Sequence, residues 1–185
     1  MAFAFREAGF RTVTIDLFHD ADLKRDITAL SGNQLIKKYG RPAVVWASPP
    51  CETFSVASIG KYWKDGVPDE GILLLSHALR LIMALRPEFW FIENPRGMMR
   101  SLPIMKELPR KTITFCQYGE RRMKPTDIWT NCNKWIEKPP CKNGDTCHEA
   151  APRGSKTGTQ GIKGAYARGV LPMELCSVIA GACKK

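Results

Sequence analysis

The chain has 185 residues, of which 44% are hydrophobic, enough for one well-buried core and short for two. No apolar run approaches a bilayer span, MAFAFREAGF lacks the order and cleavage site of a signal peptide, and an odd seven cysteines argue against a disulfide framework. The net charge of +10 is uneven: residues 1–99 hold 12 Lys+Arg against 11 Asp+Glu, whereas residues 100–185 hold 16 against 7, which favours a polyanion, nucleic acid above all, as the partner of the second half.

In chain order, FAFREAG reads as the end of a helix closed by Gly9, and Thr12–Leu17 is a β-branched strand ending in an acid. A helix over Gly32–Tyr39 precedes AVVWAS (Ala43–Ser48), a strand of buried type, and then a loop, Pro49–Val67. From Asp69 to Leu85 apolar residues recur at helical spacing, with acids in front and Arg86-Pro87 behind. The apolar strand Phe89–Ile92 delivers Glu93 and Asn94 at its carboxyl end. Two further strands are expected near Thr112–Cys116 and over Asp127–Thr130, and LPMELCSVIAGAC is a terminal amphipathic helix with Pro172 in its first turn. Strands separated by helices predict an α/β sheet that is mainly parallel, with ligands outside the carboxyl ends of its strands. Asp16, Cys51 and Glu93 stand at such ends. Between Cys132 and Arg168 the pattern breaks into a Pro-, Gly-, Lys- and Thr-rich stretch too long for an ordinary connection.

Cys51 follows two prolines in WASPPCETFSVAS. A loop cysteine is more often structural than catalytic, and a thiol becomes a nucleophile only where its thiolate is stabilised. The ENP at the next strand end strengthens the catalytic reading, because an acid facing a thiol across a crevice can protonate a ring under attack.

SPPCETFSVAS, FIENPRGMM and TFCQYGERRMKPTDIWTN, in that order, resemble the catalytic loop, the acidic strand end and the basic motif of cytosine-5 DNA methyltransferases, above all the bacteriophage and prophage type. RGVLPMELCSVIAGA resembles that family's last motif. The resemblance implies a Rossmann-like methyltransferase sheet that begins after the family's first strand and glycine-rich cofactor loop, with a small irregular insert. It divides the chain into a catalytic domain over 1–131, a basic target-recognition segment over 132–168 and a C-terminal helix over 169–185 that returns to the catalytic domain. It implies S-adenosylmethionine as cofactor, double-stranded DNA as partner, and a cytoplasmic location in a bacterial or phage-infected cell.

By the same resemblance Cys51 attacks C6 of a flipped cytosine while Glu93 engages N3, and Ser48–Ser58 closes over the base. Arg121, Arg122 and Lys124 hold the nucleotide's phosphates and ring edge, although ERRMK is compressed relative to the family's glutamine and two alternating arginines. Asp16 takes the cofactor's ribose and Asp26 its adenine amino group, with Pro49 and Val170 beside them; the plainer alternative for both acids is a turn or helix cap. Pro50, Ser55, Asn94, Arg153 and Lys156 fall to the substrate. Cys132, Cys141, Cys147 and His148 have the ligand types of a structural zinc site at irregular spacing, and otherwise are packing residues. Trp63 and Trp135 are base-stacking candidates, with loop anchoring as the alternative.

Rival readings are an RNA cytosine-5 methyltransferase and a catalytically silent DNA-binding relative that has lost cofactor binding. A zinc deaminase would need Pro-Cys-x-x-Cys with an upstream His-x-Glu, and the chain has neither. A thymidylate-synthase-like enzyme shares cysteine attack at pyrimidine C6 but not the ENP strand end.

Overall fold

The computed structural model describes residues 1–56, 66–150 and 165–184. Helix α1 (Ala2–Glu7) is closed by Gly9, whose φ of 90° lies in the left-handed region that favours glycine. β1 (Ile15–Asp16) and β2 (Leu23–Lys24) form a short parallel pair apart from the main sheet. β1 is shorter than the β-branched run suggests because side chains take its flanking donors. The Asp22 carboxylate accepts from Thr14 N, and the Asp16 carboxylate from Phe18 N.

Helix α2 (Gly32–Tyr39) and strand β3 (Val44–Ala47) follow, then a 3-10 turn over Cys51–Thr53. Helix α3 (Asp69–Leu85) carries Asp69 and Glu70 in its first turn, where the helix dipole favours them, and ends at Arg86 in left-handed conformation ahead of Pro87. β4 (Phe89–Pro95) leads through α4 (Pro103–Lys106) to β5 (Arg110–Thr114), a 3-10 turn over Phe115–Tyr118, and β6 (Pro125–Thr130). α5 (Ala165–Gly169) and α6 (Met173–Ala182) close the chain.

The main sheet has the order β3-β4-β6-β5. Only β3 and β4 run parallel; β6 lies antiparallel to both of its neighbours, which corrects the expectation of a mainly parallel sheet. The physical reason is the connection between β5 and β6. Residues 115–124 are too few for a crossover helix, so the chain turns straight back.

Alternation along β4 divides the core. Phe89 and Phe91 join Ile113, Ile128, Phe5 of α1 and Leu175 and Ile179 of α6 on one face. Ile92 joins Trp129, Met99, Met105 and Leu75 and Ile82 of α3 on the other. Asp127, fully buried in β6, is held by a two-pronged Arg100 contact and by Thr112 Oγ1 at 2.8 Å, which ties β6 to β5 and to the turn after β4. Among the described residues, 131–150 form no helix or strand, yet Cys132, Trp135 and Cys141 are buried.

Candidate active site

β3 ends at Ala47, which pairs with Ile92, while β4 runs on to Pro95 paired with β6, so the chain leaving β3 passes beside Glu93, which lies within β4 and not, as the sequence predicts, beyond its end. Ser48 therefore meets Glu93: its hydroxyl accepts from Trp46 Nε1 at 2.8 Å and donates to the Glu93 carboxylate. Glu93 is 6% exposed, and burial pushes its carboxyl up, against the opposing pull of Lys124 and Ser48. The half-buried Cys51 thiol is likewise raised by burial, while Lys124 favours its thiolate and Glu93 disfavours it.

Lys124 faces both groups from the start of β6. Burial pulls its ammonium down and Glu93 opposes that shift. Its Nζ donates to the Arg168 carbonyl at 2.6 Å and lies 4.7 Å from the Phe115 ring centre. The backbone there has φ 26°, a left-handed value unfavourable for lysine, and strain of this kind gathers at working sites.

Three contacts aim the Cys51 turn. Asn94 Nδ2 donates to the Pro49 carbonyl at 2.9 Å, and the fully buried Phe54 ring anchors the far end. Met98 N donates to the Phe54 carbonyl at 2.8 Å, which requires glycine at position 97, since a Cβ there would stand 2.4 Å from that oxygen. A thiol, a protonatable carboxyl and a cation thus share one partly dry setting, the combination that nucleophilic attack with proton transfer needs.

A profile of the C-5 cytosine-specific DNA methylases matches residues 18–116. A probable DNA (cytosine-5)-methyltransferase of Frog virus 3 (isolate Goorha) is 32% identical over 150 residues, covering 75% of this chain and 68% of the viral protein. The chain belongs to the C-5 cytosine-specific DNA methylase family. A protein described as a putative DNA modification methyltransferase encoded within a prophage (E. coli) shares the fold of this chain, with a TM-score of 0.54 and 18% identity over 70% of the chain. The chain spans 42% of that prophage protein's length.

The two arginines beside Lys124 differ sharply in this methylase. Arg122 is 3% exposed, lies over the Phe115 ring and donates to the carbonyls of Ala167, Arg168 and Val170, so it clamps the last motif to the sheet and faces no solvent. Arg121 is exposed and paired with Glu149 at 3.1 Å. Val170 meets the site through its carbonyl, its side chain being exposed. Pro50 is exposed and Ser55 half-buried in the Cys51 turn. Ser58, Trp63, Arg153 and Lys156 lie outside the described residues. Trp135 is buried at 2%, so it anchors its loop and presents no stacking face.

Asp16 ends β1, and Asp26, two residues past β2, caps the 3-10 turn over Ile27–Ala29; neither lies in the main sheet from which the Cys51 turn springs. Each performs the local role that turn chemistry offers: Asp16 Oδ1 accepts from Phe18 N and His19 N, and Asp26 Oδ1 accepts from Thr28 N and Oγ1. The Asp16 side chain stays 41% exposed, and its carboxyl is held low by those N–H groups despite partial burial. Hydrogen bonds from Thr28 hold Asp26 low. Two ionised carboxylates with one oxygen each held by the backbone suit the hydroxyl and amino donors of S-adenosylmethionine, so the residues present fit that cofactor.

The proposed metal set requires a correction. Cys132, 1% exposed, packs in the main core and meets Cys183, because the strand-end geometry of β6 turns it toward α6. Cys116 takes its place beside Cys141, Cys147 and His148. Sequence reasoning missed Cys116, whose one signal was its position directly after β5. It also missed Gly97 and the Ser48 hydroxyl. A groove of about 380 Å³ between Val56, Arg96, Arg100 and Pro125 opens beside the ends of β4 and β6.

Proposed function

We propose that this chain carries out cytosine-5 methylation of double-stranded DNA through a covalent Cys51 adduct. The observation that carries the reading is the mutual electrostatic influence of Cys51, Glu93 and Lys124 where the chain leaving β3 passes the Glu93 end of β4. Lys124 stabilises the Cys51 thiolate, which attacks C6 of a cytosine turned out of its duplex and forms a sulfur–carbon bond. The electron pair displaced from the C5–C6 double bond is delocalised to N3, where Glu93 delivers its proton, and C5 becomes nucleophilic. Burial raises the Glu93 carboxyl and so favours the protonated form that this step uses.

S-adenosylmethionine, when bound, supplies the electrophilic methyl group. Asp16 and Asp26 would hold its ribose hydroxyls and adenine amino group. Once C5 is methylated, loss of the C5 proton to water and departure of the Cys51 sulfur restore the double bond, and N3 returns its proton to Glu93. The basic second half supports a DNA partner. No helix among the described residues is long and apolar enough to cross a membrane, and the reading places the protein with DNA in a bacterial or phage-infected cell.

The test is transfer of labelled methyl to duplex DNA and, in parallel, to tRNA, with wild-type protein and Cys51→Ser. Transfer to duplex DNA by the wild type alone is expected. Equal transfer by Cys51→Ser would overturn the role of Cys51, and preference for tRNA would overturn the substrate.

A further inference from the structure

We infer that Cys116, Cys141, Cys147 and His148 form a structural zinc site that clamps the irregular segment after β6 onto the end of β5. Their ligand atoms all lie within 4.8 Å of one another. Cys116 Sγ stands 3.1 Å from Cys141 Sγ and 3.7 Å from Cys147 Sγ, and His148 Nδ1 lies 3.6 Å from Cys141 Sγ and 3.5 Å from Cys147 Sγ. A tetrahedron with zinc–sulfur bonds of ~2.3 Å and a zinc–nitrogen bond of ~2.0 Å has edges of roughly 3.8 Å between sulfurs and 3.5 Å from sulfur to nitrogen. Three of the four distances match those edges, and the pair at 3.1 Å needs only a small separation. All four cysteines concerned in the choice, Cys132 included, are free thiols.

The local chain is built to present these atoms. Cys116 lies in the 3-10 turn directly after β5, and Thr114, the last residue of that strand, receives Cys141 N on its hydroxyl at 3.0 Å. Asp145 closes a turn by accepting Lys142 N at 2.7 Å, and Gly144, at φ 96°, lets the chain double back to bring Cys147 and His148 to the same point. Gln117 Nε2 donates to Cys147 Sγ at 3.5 Å, the kind of outer contact that steadies a metal-bound thiolate. Three sulfurs and an imidazole select zinc over magnesium or calcium, and four protein ligands leave no open position, so the site is structural and not catalytic.

The clamp reaches the active site. Glu149, next to His148, donates its N–H to the Arg121 carbonyl at 2.8 Å and pairs with the Arg121 guanidinium. Arg121 begins the three residues that lead through the Arg122 clamp to Lys124. Zinc therefore holds the loop that places Lys124 against Glu93 and Cys51. This consequence rests on the methyl-transfer reading, whereas the metal site itself does not.

The experiment measures zinc by plasma mass spectrometry in purified full-length protein, and the spectrum after replacement by cobalt. About one zinc per chain is expected, with the visible and thiolate charge-transfer bands of tetrahedral cobalt. Zinc content should fall roughly tenfold or more in Cys116→Ser and in the exposed-site variant Cys147→Ser, and remain full in Cys132→Ser. Wild-type protein without zinc that also fails to bind added cobalt would overturn the site. Loss of zinc in Cys132→Ser with retention in Cys147→Ser would overturn this ligand set. Since the readout is metal content, a chain that holds zinc but transfers no methyl group would sink the methylation reading alone.

Discussion

Asn94, buried in β4, donates to the carbonyl of Pro49 and so ties the approach to the Cys51 turn to the strand that carries Glu93. That bond is one of the three contacts that hold the thiol's turn beside the carboxyl. Asn94→Ala would leave the Pro49 carbonyl without that donor, at a cost of about 1–3 kcal/mol. Methyl transfer should fall further than stability does, by roughly 100-fold if the thiol shifts by about 1 Å. Urea denaturation and single-turnover methylation measure the two effects, and an unchanged turnover would show that the thiol does not depend on Asn94.

Gly97 is a second control on the same turn. A Cβ at this position meets the Phe54 backbone oxygen, which cannot swing aside as a side chain could. Gly97→Ala should cost about 1–3 kcal/mol by overpacking and break the Met98–Phe54 hydrogen bond. Gly181→Ala is the comparison, because that exposed helical position meets nothing within 4 Å and should be neutral or slightly stabilising. Thermal denaturation of the two variants side by side checks the contrast.

The raised Glu93 carboxyl makes stability depend on pH in a definite direction. The folded state holds its proton above the ordinary carboxyl value of 4.5, whereas the unfolded chain releases it there. Folded protein then binds more protons, so this group's contribution is full below 4.5 and is lost as pH rises through the higher folded value. Glu93→Gln should flatten that part of the stability profile. Denaturation midpoints at several pH values for wild type and variant provide the measurement, and parallel profiles would contradict the assignment.

Lys124 is the cation that favours the Cys51 thiolate. In Lys124→Met, Cys51 should be alkylated more slowly by iodoacetamide at fixed pH, with its reactivity midpoint moved upward. Peptide-resolved mass spectrometry follows Cys51 by itself, with an added small-molecule thiol as the reference. Unchanged Cys51 kinetics would remove Lys124 from the nucleophile's setting.

What the sequence determined by itself was local. Gly32–Tyr39 and Asp69–Leu85 were legible as helices to the residue, the second because its periodicity, first-turn acids and Arg86-Pro87 stop act within a few positions of one another. Local pattern also put Cys51 in the loop after β3, whereas Glu93, expected just past a strand end at Ile92, lies inside β4, because pairing with β6 extends that strand to Pro95. Tertiary structure alone decided the rest. It put β6 antiparallel between β4 and β5, turned Arg122 inward onto the carbonyls of residues 167, 168 and 170, and drew Cys116 across 25 residues to Cys141 while sending Cys132 into the core. Strand partners and side-chain facing depend on contacts between distant residues, and no local pattern of charge or hydrophobicity encodes which distant neighbour each group will meet.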